Sequence, residues 1–239
     1  MLAEGLGRDS WRSVIESLEE FMPYYERVNY ASTLLQLPLW RSLAAGAVRD
    51  GEEVLEIGPG PGGFASLLRS CRVYLLEPSV SILKFSASRL REERYRPLVG
   101  LAEDIPLKEA SLDRVFCIFS FRDFLNKERA LREIHRVLRT GGRLHIVDLF
   151  RPSGKLQRRL MEFWLRRGAA ALLRLLVPGR KRRVWKHDPY RELLVTYDAI
   201  GSATQYEGIM REIGFTRVET KGLLLGSVCH IQGAKPSTM

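Results

Sequence analysis

FTRVETKGLLLGSVCHIQG, residues 215–233, holds two strand-like runs with only a short turn near Gly222 between them. So short a link cannot make the crossover that parallel neighbours require, so the last strand must run antiparallel to the one before it. Just upstream, the periodicity predicts a helix at about 203–213, closed by Gly214. Further back, strand-like runs at 53–57, 72–77, 97–101, 113–119 and 142–150 alternate with helical patterns at about 62–69, 79–93 and 127–139. The pattern at 79–93 places an apolar stripe on Val80, Leu83 and Leu90, and the one at 127–139 runs into Gly141-Gly142 as a C-cap. Residues 10–49 are mostly helical, with breaks at Pro23 and Pro38. Strands alternating with helices imply a parallel sheet covered on both faces. The expected class is therefore α/β: a Rossmann-like, seven-stranded, mostly parallel sheet with a reversed last strand. It divides into an N-terminal helical cap (1–50), a core (51–150), a helical insertion after strand five (151–200), and a C-terminal helix and strands that complete the core (201–239).

The first strand runs into the barest backbone of the chain, VLEIGPGPGGFA at 54–65. Gly58, Gly60 and Gly63 satisfy the spacing of a dinucleotide fingerprint. The same stretch, with Glu56 two residues before the first glycine, also fits a loop for S-adenosylmethionine (SAM). Either ligand would press against Gly58, Pro59, Gly60 and Gly62, where a Cβ would collide. Glu77-Pro78 ends the second strand, and its carboxylate suits the two hydroxyls of a ribose in both cases. After the third strand, Leu101, Ala102, Glu103 and Asp104 would lie along an adenine edge. The reversed last strand separates the two ligands, because a nicotinamide-binding fold usually continues with another parallel half.

The composition, 45% hydrophobic and 28% charged over 239 residues, is that of an ordinary globular protein. No run is apolar enough to span a bilayer, and the N-terminus is too acidic for a secretory signal, so a cytoplasmic protein is expected. Cys71, Cys117 and Cys229 lack metal or redox spacing and are expected to be reduced core thiols. His135, on a helix, and His145, within a strand, are expected to be structural, and neither His187 nor His230 has ligand spacing, so no metal is expected. The net charge of +10 is concentrated: residues 151–186 carry +11 and the remainder −1.

Taken in order, VLEIGPGPGG, VYLLEPS, LAEDIPL and FSFRDFLNKERALREIHRVLRTGGRLHIVDLFRP resemble the class I SAM-dependent methyltransferases. Among these, the chain is most similar to the C-methyltransferases of ubiquinone and menaquinone biosynthesis, over about residues 21–231. The family's early Tyr-Asp-x-x-Asn appears as Tyr25-Glu26-Arg27-Val28-Asn29, its tryptophan as Trp40, and its Phe-Gly-x-Arg-Asn as Phe119-Ser120-Phe121-Arg122-Asp123. Its late Tyr-x-x-Leu-x-x-Ser falls on Tyr190, Leu193 and Thr196, and its acid at the end of strand five on Asp148. Pro61, Leu101, Ser120 and Asp123 depart from the family pattern. The resemblance implies SAM as cofactor, Phe119 beside it, and methyl transfer to a lipophilic small molecule, foremost a quinone-precursor ring carbon. Another lipid, a small metabolite or RNA as acceptor, or a SAM-binding module without turnover, are the alternatives.

Carbon methylation of a phenol needs the hydroxyl proton removed, so the site should offer a base or a cation that stabilises the phenolate. Arg122 suits the second role, Asp148 and Asp123 are candidate bases, and Tyr25 would orient the ring. In the basic segment, a helix would group Leu156, Leu160, Phe163, Trp164, Leu172 and Leu176 on an apolar side, with arginines near its margins. Such a helix suits an anionic membrane surface, which makes 155–186 an expected peripheral contact. No RNA-binding module accompanies it, so no specific nucleic acid is expected.

Overall fold

The computed structural model describes residues 6–183, 185–224 and 226–237. The extreme ends of the helical cap and of the C-terminal segment, Val184 of the basic segment, and Leu225 of the last strand-like run lie outside the described residues.

Seven strands form one sheet: β1 (Glu53–Ile57), β2 (Arg72–Glu77), β3 (Tyr95–Val99), β4 (Leu112–Ile118), β5 (Leu138–Leu149), β6 (Thr216–Leu224) and β7 (Val228–Ala234). Their order is β3-β2-β1-β4-β5-β7-β6. The first five are parallel, and β7 runs antiparallel to both β5 and β6. The reversal is as the short link requires, but the turn lies at Gly226 (φ +72°), not at Gly222. Gly222 instead stays in the ladder opposite Cys229. The core strands are apolar on both faces (Val54, Leu55, Leu75, Leu76, Val115, Phe116, Ile146), as a doubly covered sheet demands.

Helices α1 (Arg8–Phe21), α2 (Tyr25–Ser32) and α3 (Leu37–Ala45) precede the sheet. Pro23 falls in a short 3-10 turn between α1 and α2, and Pro38 opens α3. Helices α4 (Val80–Arg89) and α5 (Lys127–Val137) flank the core. Then come α6 (Lys155–Phe163), α7 (Ala170–Leu176), α8 (Gly179–Arg182), α9 (Pro189–Ala199) and α10 (Ala203–Ile213), the last closed by left-handed Gly214.

Four local expectations are corrected. The helix at 62–69 is only a 3-10 turn, Ala65–Leu67. Gly62 at φ +82° delays its start and Leu68 must extend to reach β2, leaving room for a single turn. In α4, Val80 is exposed, and Ile82 and Ser86 join Leu83 in facing inward. Helix α5 ends at Val137 without a glycine cap, because fully buried Leu138 is already extended and paired with Leu112.

The fourth correction concerns the basic segment. Its inward row is Met161, Leu165, Ala169, Leu173 and Val177, one residue in four. On a regular helix such a row drifts by about 40° per step. The π turn at Trp164–Ala169, between α6 and α7, widens the helix and holds the row in line. Of the expected apolar side, Leu156, Leu160 and Phe163 are exposed, whereas Trp164, Leu172 and Leu176 are half-buried. Ala169, Leu173 and Val177 meet Phe21, Met22, Tyr25, Val28 and Tyr190 in a second apolar cluster, which ties the N-terminal helices to the insertion. Among the described residues, no helix is long and apolar enough to cross a membrane.

Candidate active site

The sheet's order reverses between β1 and β4, so the loops after these two strands diverge and leave a crevice at their carboxyl ends. Gly58 (φ +70°) sits at the mouth of β1, and a Cβ there would lie 2.5 Å from the Ser120 Cβ. Ser120 fixes this approach from the β4 side by donating to the Ile57 carbonyl at 2.5 Å. Gly60 (φ +52°) has open space, with only the Tyr25 ring edge near its missing Cβ. The next two glycines serve the protein itself: Leu90 packs behind Gly62, and the Glu26–Arg41 ion pair (2.8 Å) lies behind Gly63.

The resulting cleft, about 640 Å³ to its open mouth, is lined by Gly58, Gly60, Glu77, Pro78, Leu101, Ala102, Glu103 and Phe119, with Tyr25 and Asp123 at its inner end. This size suits a nucleoside-sized ligand. Helix α1 covers it with Trp11, Ile15 and Leu18. Glu77 is 5% exposed, and burial pushes its carboxyl up to about 7, against the Ser79 N–H that it accepts. Ser79 uses one oxygen only, so the carboxylate keeps acceptor capacity toward the cleft. Phe119 holds a left-handed backbone (φ +61°) and stacks on Trp40 at 6.0 Å. That strain sits in the cleft wall, where functional strain concentrates.

Four predicted cofactor residues do not line the cleft. Pro59 and Gly62 are buried behind the loop. Asp104 is exposed and forms a β-bridge with Leu101. Glu56 lies beneath the loop, 2% exposed, with Oε2 lacking a hydrogen-bond partner. Burial pushes its carboxyl up to about 8, with Arg41 opposing. Glu103 reaches the cleft but commits an oxygen to the Asn126 N–H at 2.8 Å, bracing the start of α5.

At the inner end, Asp148 is fully buried and saturated. Its Oδ1 accepts from Arg122 Nη1 (2.7 Å) and the Leu149 N–H (2.7 Å), and its Oδ2 accepts from the Arg122 N–H (3.0 Å). It is a brace for Arg122, which corrects its expected role as base. Burial works against the Arg122 charge, but Asp123 and Asp148 outweigh it and raise its pKa. Its Nε is buried without a hydrogen-bond partner, 3.5 Å from Asp123 Oδ1. Asp123 has no such saturation, and burial pushes it up to about 6 against the pull of Arg122. Burial also raises Tyr25. Beyond Tyr25 and Asp123 lies a second chamber of about 530 Å³, reached by Ser17, Asn29, Arg122, Glu192 and Thr196 among apolar walls.

Sequence reasoning missed the α1 wall and the polar set of the second chamber. Trp11, Ile15, Leu18 and Met22 follow a helical repeat, so that wall was detectable as a stripe. Ser17 and Glu192, from elements far apart in the chain, had no such signal.

Residues 55–146 match the model of a methyltransferase domain. The chain is a methyltransferase, and its fold is similar to that of the class I enzymes. It is 26% identical to the demethylmenaquinone methyltransferase of Clavibacter sepedonicus, over 92% of this chain and 89% of the relative. It is 29% identical to a ubiquinone/menaquinone biosynthesis C-methyltransferase of Pseudomonas savastanoi, over 83% and 79%. A solved SAM-dependent methyltransferase from Aquifex aeolicus shares the fold at TM-score 0.57 and 17% identity, covering 88% of this chain and 97% of that one. This methyltransferase therefore uses SAM. Its cleft fits that molecule: bare backbone at Gly58 and Gly60 faces a buried carboxylate, Glu77, that retains acceptor capacity.

Proposed function

We propose that the enzyme methylates a ring carbon of a lipophilic quinol, with the ring in the second chamber. The observation that carries this reading is the pair at the junction of the two cavities, a buried Arg122 beside an unsaturated Asp123. The names of the relatives point the same way.

Gly58 and Gly60 would admit SAM against bare backbone, Glu77 would accept from the ribose hydroxyls, and Leu101 and Ala102 would flank the adenine. When bound, SAM supplies an electrophilic methyl group on a sulfonium. The rest belongs to the chain. Asp123, near pKa 6, is mostly ionised at neutral pH and accepts the phenol proton at its carboxylate. The Arg122 guanidinium, held protonated by Asp148, stabilises the phenolate and so enriches the ortho carbon. Tyr25, standing between the cavities, orients the ring, and α1 excludes water.

The test is mass spectrometry of a demethylated quinol incubated with enzyme and SAM, reading a gain of one methylene. Asp123→Asn is expected to lower kcat by about 10²-fold with the SAM affinity kept. Methylation of RNA, with none of the quinol, would overturn the reading.

We infer also that the outer face of α6 rests on an anionic bilayer, where such an acceptor would be dissolved. Leu156, Leu160 and Phe163 are 70%, 52% and 66% exposed, with exposed Lys155 and Arg159 among them. Flotation with anionic vesicles at low salt, lost at high salt, is the expected result. No flotation at low salt would remove the membrane contact.

A further inference from the structure

A third chamber opens on the far side of Arg122, about 480 Å³ to its mouth. It shares Asn29, Ser32, Arg122 and Leu193 with the ring chamber, and Phe119 with the cofactor cleft. The inward row of the basic segment roofs it with Met161, Leu165 and Ala169, and Leu149 and Val228 lie opposite. Among the described residues its one charged side chain is Arg122, whose guanidinium is already engaged by two carboxylates. Asn29, Ser32 and Thr33 add uncharged polar groups on the α2 side, and the rest of the wall is apolar and suits aliphatic carbon.

Half-exposed Trp164 and Leu224 carry this wall to the surface, and Thr33 closes it at the end of α2. The residues that follow Thr33 are peculiar. Leu34 and Leu35 both hold left-handed backbones (φ +52° and +63°) and stand 59% and 74% exposed. A left-handed backbone is strained for a leucine, and the exposed side chains recover none of that strain by burial. Leu160 and Phe163, chain neighbours of the roof residues, are exposed as well. An apolar chamber thus joins the reacting centre to a leucine-rich surface.

We propose that this third chamber binds the aliphatic tail of the acceptor, which runs from the ring chamber past Arg122 and Leu193 and leaves near Trp164 and Leu224 toward the bilayer. The proposal rests on the lipophilic-ring reading given above. It adds that the enzyme selects acceptors by tail length. A short-tailed quinol fills the ring chamber alone, whereas a long-tailed one also buries methylenes beneath Leu165 and Ala169.

Two measurements on the full chain test it. In the first, a long-chain bromoalcohol is titrated while tryptophan fluorescence is followed, since bromine quenches an indole it touches. Saturable quenching is expected in the wild type and is lost in Trp164→Phe. In the second, KM is compared for quinols with a short and a long isoprenoid tail. The long tail is expected to lower KM by about tenfold or more, because each buried methylene adds binding energy. Leu224→Trp or Thr33→Trp, each adding bulk to the wall, should shrink that ratio toward one. Equal KM values in the wild type, or quenching that persists in Trp164→Phe, would overturn the tail chamber and leave the ring acceptor standing. Quenching that depends on Trp164, with neither quinol methylated, would support the chamber and overturn the ring acceptor.

Discussion

The cofactor wall and the helical cover are built on different principles. In the wall, each feature is backed by packing: Ser120 behind Gly58, Leu90 behind Gly62, the Glu26–Arg41 pair behind Gly63, Asp148 behind Arg122. The cover is held by a modest apolar cluster and a few polar anchors between distant segments. His187 bonds Ser13 at 2.9 Å and Glu16 at 3.0 Å, and the Lys186 N–H donates to Glu20 at 2.9 Å. These anchors tie the end of the basic segment to the polar side of α1. A dense wall tolerates little change, whereas a lightly pinned cover can part from it to admit an acceptor.

The sharpest way to break that contrast is Arg122→Met. It strands the buried Asp148 carboxylate, and a loss of about 3–5 kcal/mol is expected in chemical denaturation. Adding Asp148→Leu should recover part of the loss, because the pair is then replaced as a unit. Next comes Gly58→Ala, which combines a left-handed backbone with a collision against Ser120. It should cost about 2 kcal/mol and abolish SAM binding in calorimetry. The cofactor site also has a pH signature. Glu77 titrates near 7 when free, and hydroxyl donors favour its ionised form, so binding releases a proton and affinity must fall as pH falls through 7. About tenfold weaker SAM binding is expected at pH 6 than at pH 8, and Glu77→Gln should flatten the profile. The smallest effect belongs to the cover. His187→Ala should cost about 1 kcal/mol or less and raise the acceptor KM while leaving the SAM affinity alone. A cover mutation that weakened SAM binding as much as Gly58→Ala would end the distinction.

Legibility follows the same division. Strands β1 to β5, their order of appearance and the reversed β7 were readable because continuous apolar runs and short links are local facts. Glycine spacing located the cleft, but it could not tell which glycines face ligand and which make room for Leu90 or Arg41. Asp148 looked like a base because its position at a strand end is visible in sequence, whereas its saturation by Arg122 is a matter of three-dimensional bonding. In the basic segment, a regular helical wheel grouped Leu156, Leu160 and Phe163 with Trp164, Leu172 and Leu176 on one apolar side, which the structure divides between exposed and half-buried positions. The true inner row is spaced by four, which only an irregular helix can align.

That irregular turn at Trp164–Ala169 works as a phase shifter between two rods. Rewound as an ordinary helix with the same residues, it would swing everything downstream by about 100° around the axis, whereas removing one residue at the same time would leave the downstream part in phase. In the first case Leu173 and Val177 would leave their seats beside Phe21 and Tyr25, although no side chain of either pair had been altered. The gap above the reacting centre is thus tuned by helical pitch as much as by residue chemistry.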